Sequence, residues 1–191
     1  MYKNCNTEQS ALRQQQLEDC LLKNMLLRPY AEITISDLCE QSSISRKSFY
    51  RYFTNKDSCL TSLLDRKMME SSRYEYSGTF AGSDIEKDFL RVLSFWKENE
   101  QFLRVLISNN LTHHLLDRMI QHIINEEHIF LRHIGVTDPK NSSEPLLFST
   151  SGFFVLLLQW AQNGFLKPVE EMAASIAVLF TRPLVAPVTN D

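Results

Sequence analysis

The 191-residue sequence predicts an all-α protein of about nine helices. Three observations carry that reading. Apolar residues recur at helical spacing through most of the chain. There are only 5 Gly and 6 Pro, too few to punctuate many tight β-turns. Ser, Thr, Asn, Gly and Pro stand where helices would begin and end.

The elements follow in order. Leu12, Leu17, Leu21, Leu22, Met25 and Leu26 make an amphipathic first helix that stops near Arg28–Pro29, where proline forbids continuation. Thr34 followed by Asp37 is a capping-box-like start for a short second helix, with Ile35, Leu38 and Cys39 on its inner face. Ser42 and Ser43 break it, and Ile44 plugs the turn. Ser45 caps a third helix, Arg46 to Phe53, in which Phe49 and Phe53 stand four apart and face inward. Thr54 to Asp57 opens a fourth helix that buries Cys59, Leu60, Leu63, Leu64 and Met68.

Ser77 to Ser83 reads as a hinge. Ile85, Phe89, Val92, Leu93 and Trp96 then form a strong helical stripe, followed by a short helix over Gln101–Ile107. A longer helix carries Leu111, Leu115, Leu116, Met119, Ile120, Ile123, Ile124, Phe130 and Ile134 up to Gly135, and Thr137 to Ser143 is a polar loop. Pro145 falls in the first turn of a helix closed by Gly164; Pro168 starts the last helix and Pro183 stops it.

Composition is that of a globular domain, with 43% hydrophobic and 23% charged residues, which excludes collagen-like and disordered classes. No uncharged apolar run reaches the roughly 20 residues of a membrane span, and Met1 to Gln16 is too polar for a signal peptide. The expected compartment is the cytoplasm, where Cys5, Cys20, Cys39 and Cys59 stay reduced. Cys20, Cys39 and Cys59 fall on apolar helix faces, which favours buried structural thiols over a redox sensor.

The net charge of −3 is mild, but its distribution is uneven. Residues 1–66 hold nine Lys and Arg against eight Asp and Glu; residues 67–191 hold eleven against fifteen. Arg46, Lys47, Arg51 and Lys56 fall in a short aromatic stretch with no acid among them, a candidate polyanion contact. A charge cluster alone is usually a solvated face, so its setting decides. Here the setting is two short helices joined by a tight turn, the second one basic: a helix-turn-helix. Arg46, Lys47, Tyr50 and Arg51 lie opposite the small core, where base edges are reached. The hydroxyl caps Thr34 and Ser45, with Lys56 at the start of the fourth helix, suit phosphates.

The stretch Thr34-Ile-Ser-Asp-Leu-Cys-Glu-Gln-Ser-Ser-Ile-Ser-Arg-Lys-Ser-Phe-Tyr-Arg-Tyr-Phe-Thr-Asn-Lys-Asp57 closely resembles the DNA-binding region of TetR-family regulators. The specific part is Phe49-Tyr-x-Tyr-Phe-x-x-Lys56, and the likeness covers residues 8–66, roughly a third of the chain. It implies a homodimer whose ligand-binding domain repositions two heads on a palindromic double-stranded operator. By position, Thr34, Tyr50, Tyr52 and Lys56 match phosphate-contacting sites of the family, and Arg46 and Lys47 match base-reading sites. Two departures stand out: Ser43 replaces the common turn glycine and strains the turn, and Lys47 replaces a small residue early in the recognition helix.

The division this implies is a DNA-binding head over 1–66 and a ligand-binding and dimerisation part over 67–191. Phe153 to Trp160 is apolar nearly all round, so with the Val169–Phe180 helix it favours a dimeric four-helix bundle over purely internal packing. Phe89, Trp96, Phe102, Met119, Phe154 and Trp160 are a candidate lining for an unidentified small effector, with plain core as the alternative. His113 with Asp117, and His122 with Glu126, have the i, i+4 spacing of metal ligands, but surface histidines beside helix-stabilising acids explain them better. No metal or cofactor is expected. No phosphate loop, nucleophile elbow or H-E-x-x-H motif points to an enzyme, and the acid pairs Glu126-Glu127 and Glu170-Glu171 point in divergent directions on helices.

The expected function is a ligand-responsive transcriptional repressor. The alternatives are an activator or co-regulator of the same fold, and a helical ligand-binding dimer whose head no longer reads an operator.

Overall fold

A computed structural model describes residues 7–75, 85–125 and 143–181. The described residues form nine α-helices and one 3-10 turn, with no strand: α1 Glu8–Leu27, the turn Tyr30–Glu32, α2 Ile35–Gln41, α3 Arg46–Tyr52, α4 Lys56–Glu75, α5 Ile85–Glu98, α6 Glu100–Ser108, α7 Thr112–Asn125, α8 Ser143–Gln162 and α9 Val169–Thr181. Among the described residues the all-α expectation holds. The hinge over Ser77–Ser83, the continuation to Ile134, Cys5 and the stop at Pro183 lie outside the described residues. Among the described residues no helix is long and apolar enough to cross a membrane.

Helix ends follow the capping chemistry. Thr7 accepts from Ser10 N–H to open α1, and Asn55 Oδ1 accepts from Ser58 N–H at 2.8 Å to open α4. Three helices end in one motif. Beyond α2, α6 and α8 the chain turns through a left-handed residue: Ser43 (φ 55°), Asn110 (φ 57°) and Gly164 (φ 71°). The N–H of the next residue reaches back to the last turn: Ile44 to Cys39 O at 3.0 Å, Leu111 to Leu106 O at 2.8 Å, Phe165 to Trp160 O at 2.9 Å. This is the Schellman closure, which satisfies carbonyls that a helix end otherwise leaves open. Glycine occupies the left-handed position once, asparagine once, and serine once, at the turn between α2 and α3. The turn strain expected at Ser43 is therefore present.

The chain divides into two compact units. The first is Met1–Met69 with Gln101–Arg118. Its core joins Leu17 and Leu21 of α1, Leu38 of α2, Phe49 and Phe53 at α3, and Leu60, Leu63 and Leu64 of α4, all fully buried. Polar ties fix α1 against α4. Glu18, only 2% exposed, accepts from Arg66 Nε at 2.6 Å and from Ser62 Oγ at 2.5 Å, while Arg66 Nη2 reaches Asp19 at 2.5 Å. A second polar pair joins α1 to α2: the amides of buried Asn24 and exposed Gln41 exchange hydrogen bonds at 2.7 and 3.1 Å. In the same unit α4 is joined to α7 through the Asp65–Arg118 ion pair.

The second unit is Glu70–Glu100 with Met119–Asp191. Within it α5 packs on α9, with Leu93 and Trp96 from α5 and Ala173 and Ile176 from α9 buried. Phe165 packs edge-on to Trp160 at 4.8 Å and carries the Lys97 ammonium over its ring at 4.5 Å, where the cation meets the electron-rich face.

Candidate DNA-binding site

The site is built on the α2–turn–α3 segment. Thr34 opens α2 with a full capping box: its Oγ1 accepts from Asp37 N–H at 3.2 Å, and Asp37 Oδ2 accepts from Thr34 N–H at 2.8 Å. Those bonds from Thr34, backbone first and hydroxyl second, hold the Asp37 carboxyl below its ordinary pKa, with Arg28 at 2.8 Å adding to the effect. Ser45 caps α3 by accepting from Ser48 N–H at 3.2 Å. Phe49 and Phe53, with ring centroids 5.3 Å apart, turn the inner face of α3 into the core.

That anchoring leaves Arg46, Lys47, Tyr50 and Arg51 exposed on the outer face, as their spacing predicts. Thr34 and Ser45 are exposed as well, so six of the eight predicted residues share the solvent side of one segment. Arg46 Nη1 also donates to Ser36 Oγ at 3.3 Å, which rests its guanidinium beside α2. The two tyrosines part company. Tyr50 is 48% exposed, whereas Tyr52 is 8% exposed and packs edge-on to Phe53.

Lys56 is more embedded than its position at a helix start suggests. Its ammonium donates to Tyr30 O at 2.5 Å and Ile33 O at 2.8 Å and sits 4.1 Å from the Tyr30 ring centroid. Burial lowers its pKa. Tyr30, which carries no motif signal, is the residue that sequence reasoning missed. Its hydroxyl donates to Asp57 Oδ1 at 2.6 Å, and burial together with that carboxylate pushes its pKa far up.

Cys20, Cys39 and Cys59 are buried free thiols, as expected, and burial raises the pKa of each. Among the described residues no set of three His, Cys, Asp or Glu stands together as a metal-binding group. His113 instead packs its ring 4.0 Å from that of His114.

The six candidate pocket residues are divided between the two units. Phe102 belongs to the first unit and the other five to the second. Trp96, Phe102, Met119 and Phe154 are buried, and Phe89 stacks on Phe153 at 5.9 Å. A cavity of about 570 Å³ lies between α8 and α9, lined by Leu156, Trp160, Met172 and Ile176 with Lys167 and Ser175. Of the six, Trp160 lines it, its Nε1 donating to Lys167 O at 2.9 Å.

A capped helix-turn-helix with a basic outer face on an all-α scaffold defines a class: helix-turn-helix DNA-binding proteins. The family pattern described as "Bacterial regulatory proteins, tetR family" matches residues 24–63, and that described as "Transcriptional regulator C-terminal region" matches residues 83–182. The chain belongs to the TetR family of transcriptional regulators, and its N-terminal helix-turn-helix is the DNA-binding domain.

A stretch of 39 residues is 49% identical to the HTH-type transcriptional regulator EthR of Mycobacterium tuberculosis, covering 20% of this chain and 18% of EthR. The chain thus aligns with under a fifth of that curated relative. Likeness of fold extends much further. A TetR transcriptional regulator from Streptococcus agalactiae superposes with a TM-score of 0.66 at 18% identity, over 91% of this chain and 96% of that one. The dihydroxyacetone kinase operon activator DhaS does so with a TM-score of 0.60 at 16% identity, over 90% and 95%.

Proposed function

We propose that this chain is a cytoplasmic homodimeric repressor that binds a palindromic operator and is released by a small effector. The observation that carries the reading is the outward face of α3. Arg46 and Lys47 stand in the first turn of the recognition helix, where base edges are reached, with Tyr50 and Arg51 flanking them. Thr34, Ser45, Tyr52 and Lys56 complete the contact set as phosphate-side residues. The head is assigned to 1–66 and the sensing and pairing part to 67–191.

Pairing is supported by apolar side chains left in solvent on α8 and α9. Phe148 is 70% exposed, and Val155, Val178 and Leu179 are exposed on the same two helices. A two-fold axis across these helices buries that surface against its own copy. The dimer then holds two heads about 34–36 Å apart, one turn of DNA. An effector that favours a different separation lowers operator affinity by population shift. The α8–α9 cavity and the buried aromatic residues of the second unit are where such a ligand is sought. Activation by the same fold is the second reading, favoured by the likeness to DhaS, which is named an operon activator.

The test is transcription of the neighbouring genes with and without this protein, together with a footprint on the intervening DNA. Repression predicts higher transcript levels on deletion and a two-fold symmetric footprint. A fall on deletion selects activation instead. No footprint and no transcriptional change would overturn both.

A further inference from the structure

We infer that Asn109, at the end of α6, is a positioning residue for the DNA-contacting end of the head and acts through Tyr30. Asn109 is 79 residues away in sequence, yet its Oδ1 accepts the Tyr30 backbone N–H at 2.6 Å. Every polar group of Tyr30 is engaged. Its N–H goes to Asn109, its C=O accepts from Lys56 Nζ at 2.5 Å, its hydroxyl donates to Asp57 at 2.6 Å, and its ring lies under the Lys56 ammonium. Tyr30 is thus a hub between the α6–α7 corner and the first turn of α4, which begins four residues beyond α3.

The corner is itself closed by local bonds. Asn109 Nδ2 donates to Val105 O at 2.9 Å, and the left-handed Asn110 closes α6 behind it. Gln101–Arg118 also packs in one compact unit with the head rather than with its sequence neighbours. A shift of this corner therefore moves the backbone that holds Lys56, and with it the register of α4 and α3 on DNA. The inference rests on the DNA-facing reading of α3 and the start of α4 given above.

Two substitutions separate this role from simple closure of α6. Asn109→Ala removes both the Tyr30 acceptor and the Val105 donor. Asn109→Asp keeps an oxygen for Tyr30 N–H, loses the donor to Val105 O and adds a negative charge. The full-length protein is titrated onto its upstream duplex and onto a shuffled duplex, and amide exchange is followed over residues 28–34 and 59–64. Asn109→Ala should speed exchange at Tyr30 and weaken selective binding by about three- to tenfold, the scale of one neutral hydrogen bond. Asn109→Asp should leave exchange at Tyr30 near wild type, and because its added charge weakens binding to both duplexes alike, the ratio of the two affinities should stay within about twofold of wild type.

Equal loss of selectivity in both variants, or none in Asn109→Ala, would overturn the inference, since either leaves Asn109 as a helix cap alone. Exchange rising equally over 59–64 would also overturn it, because the whole head would then be loosening. A wild-type protein that does not distinguish the two duplexes fails at the first control, and that failure belongs to the regulator reading itself.

Discussion

Replacing Ser43 with glycine should stabilise the head, and the structure sets the size of the gain. Ser43 holds φ 55° between α2 and α3, a conformation that costs an L-residue about 1–2 kcal/mol. Glycine removes that cost but gains freedom in the unfolded chain, which returns about 0.5–1 kcal/mol. The net stabilisation is about 0.5–1 kcal/mol, because the exposed Ser43 side chain has little packing to lose. With a urea slope of about 2–3 kcal/mol/M, the midpoint should rise by about 0.2–0.5 M. Gly164 supplies the opposite sign from the same motif. It holds φ 71° with open space around a Cβ, so Gly164→Ala should cost about 1 kcal/mol through backbone strain alone. Urea melts of the three proteins read both effects. An unchanged or lowered midpoint for Ser43→Gly would refute the claim that this turn stores strain.

Two further predictions concern the polar ties of the head. Arg66→Ala leaves the Glu18 carboxylate buried without its guanidinium and should destabilise the protein by about 3 kcal/mol in a urea melt; a loss no larger than that of a surface ion pair would contradict the structural role. The Asp37 pKa is depressed in the fold, so its stabilising contribution is complete above the ordinary carboxylate pKa and is lost as pH falls through the folded value. Asp37→Asn should therefore flatten that part of the acid limb of a stability–pH curve, and an unaltered limb would show that the capping box contributes nothing.

Most of the local structure was legible in the sequence because it depends on neighbours. The Thr34–Asp37 box, the Ser45 cap, the inward pair Phe49 and Phe53, and the closure at Gly164 each rest on residues within a few positions of one another. The outward set Arg46, Lys47, Tyr50 and Arg51 follows from the same periodicity. What escaped were contacts fixed by tertiary packing. Glu18 looks like a solvated acid on an amphipathic helix until α4 brings Arg66 to it. The Asn24–Gln41 pair and the Tyr30–Asn109 bond join residues with no pattern between them. Lys56 reads as a free cation at a helix start, but its aliphatic stem and the Tyr30 and Ile33 carbonyls draw it inward. The pocket candidates are the least specific part of the reading for a related reason, since aromatic side chains at helical spacing describe a core and a cavity equally well.

The most direct test of DNA reading by α3 is a salt titration of the full-length protein against its own upstream duplex and a shuffled duplex of the same composition. Specific recognition predicts affinity for the upstream duplex about a thousandfold or more above the shuffled one, with both falling as salt rises. Arg46→Ala or Lys47→Ala should then remove about 1–3 kcal/mol of that preference at particular base pairs. Equal affinity for the two duplexes at every salt concentration, unchanged by either substitution, would contradict it.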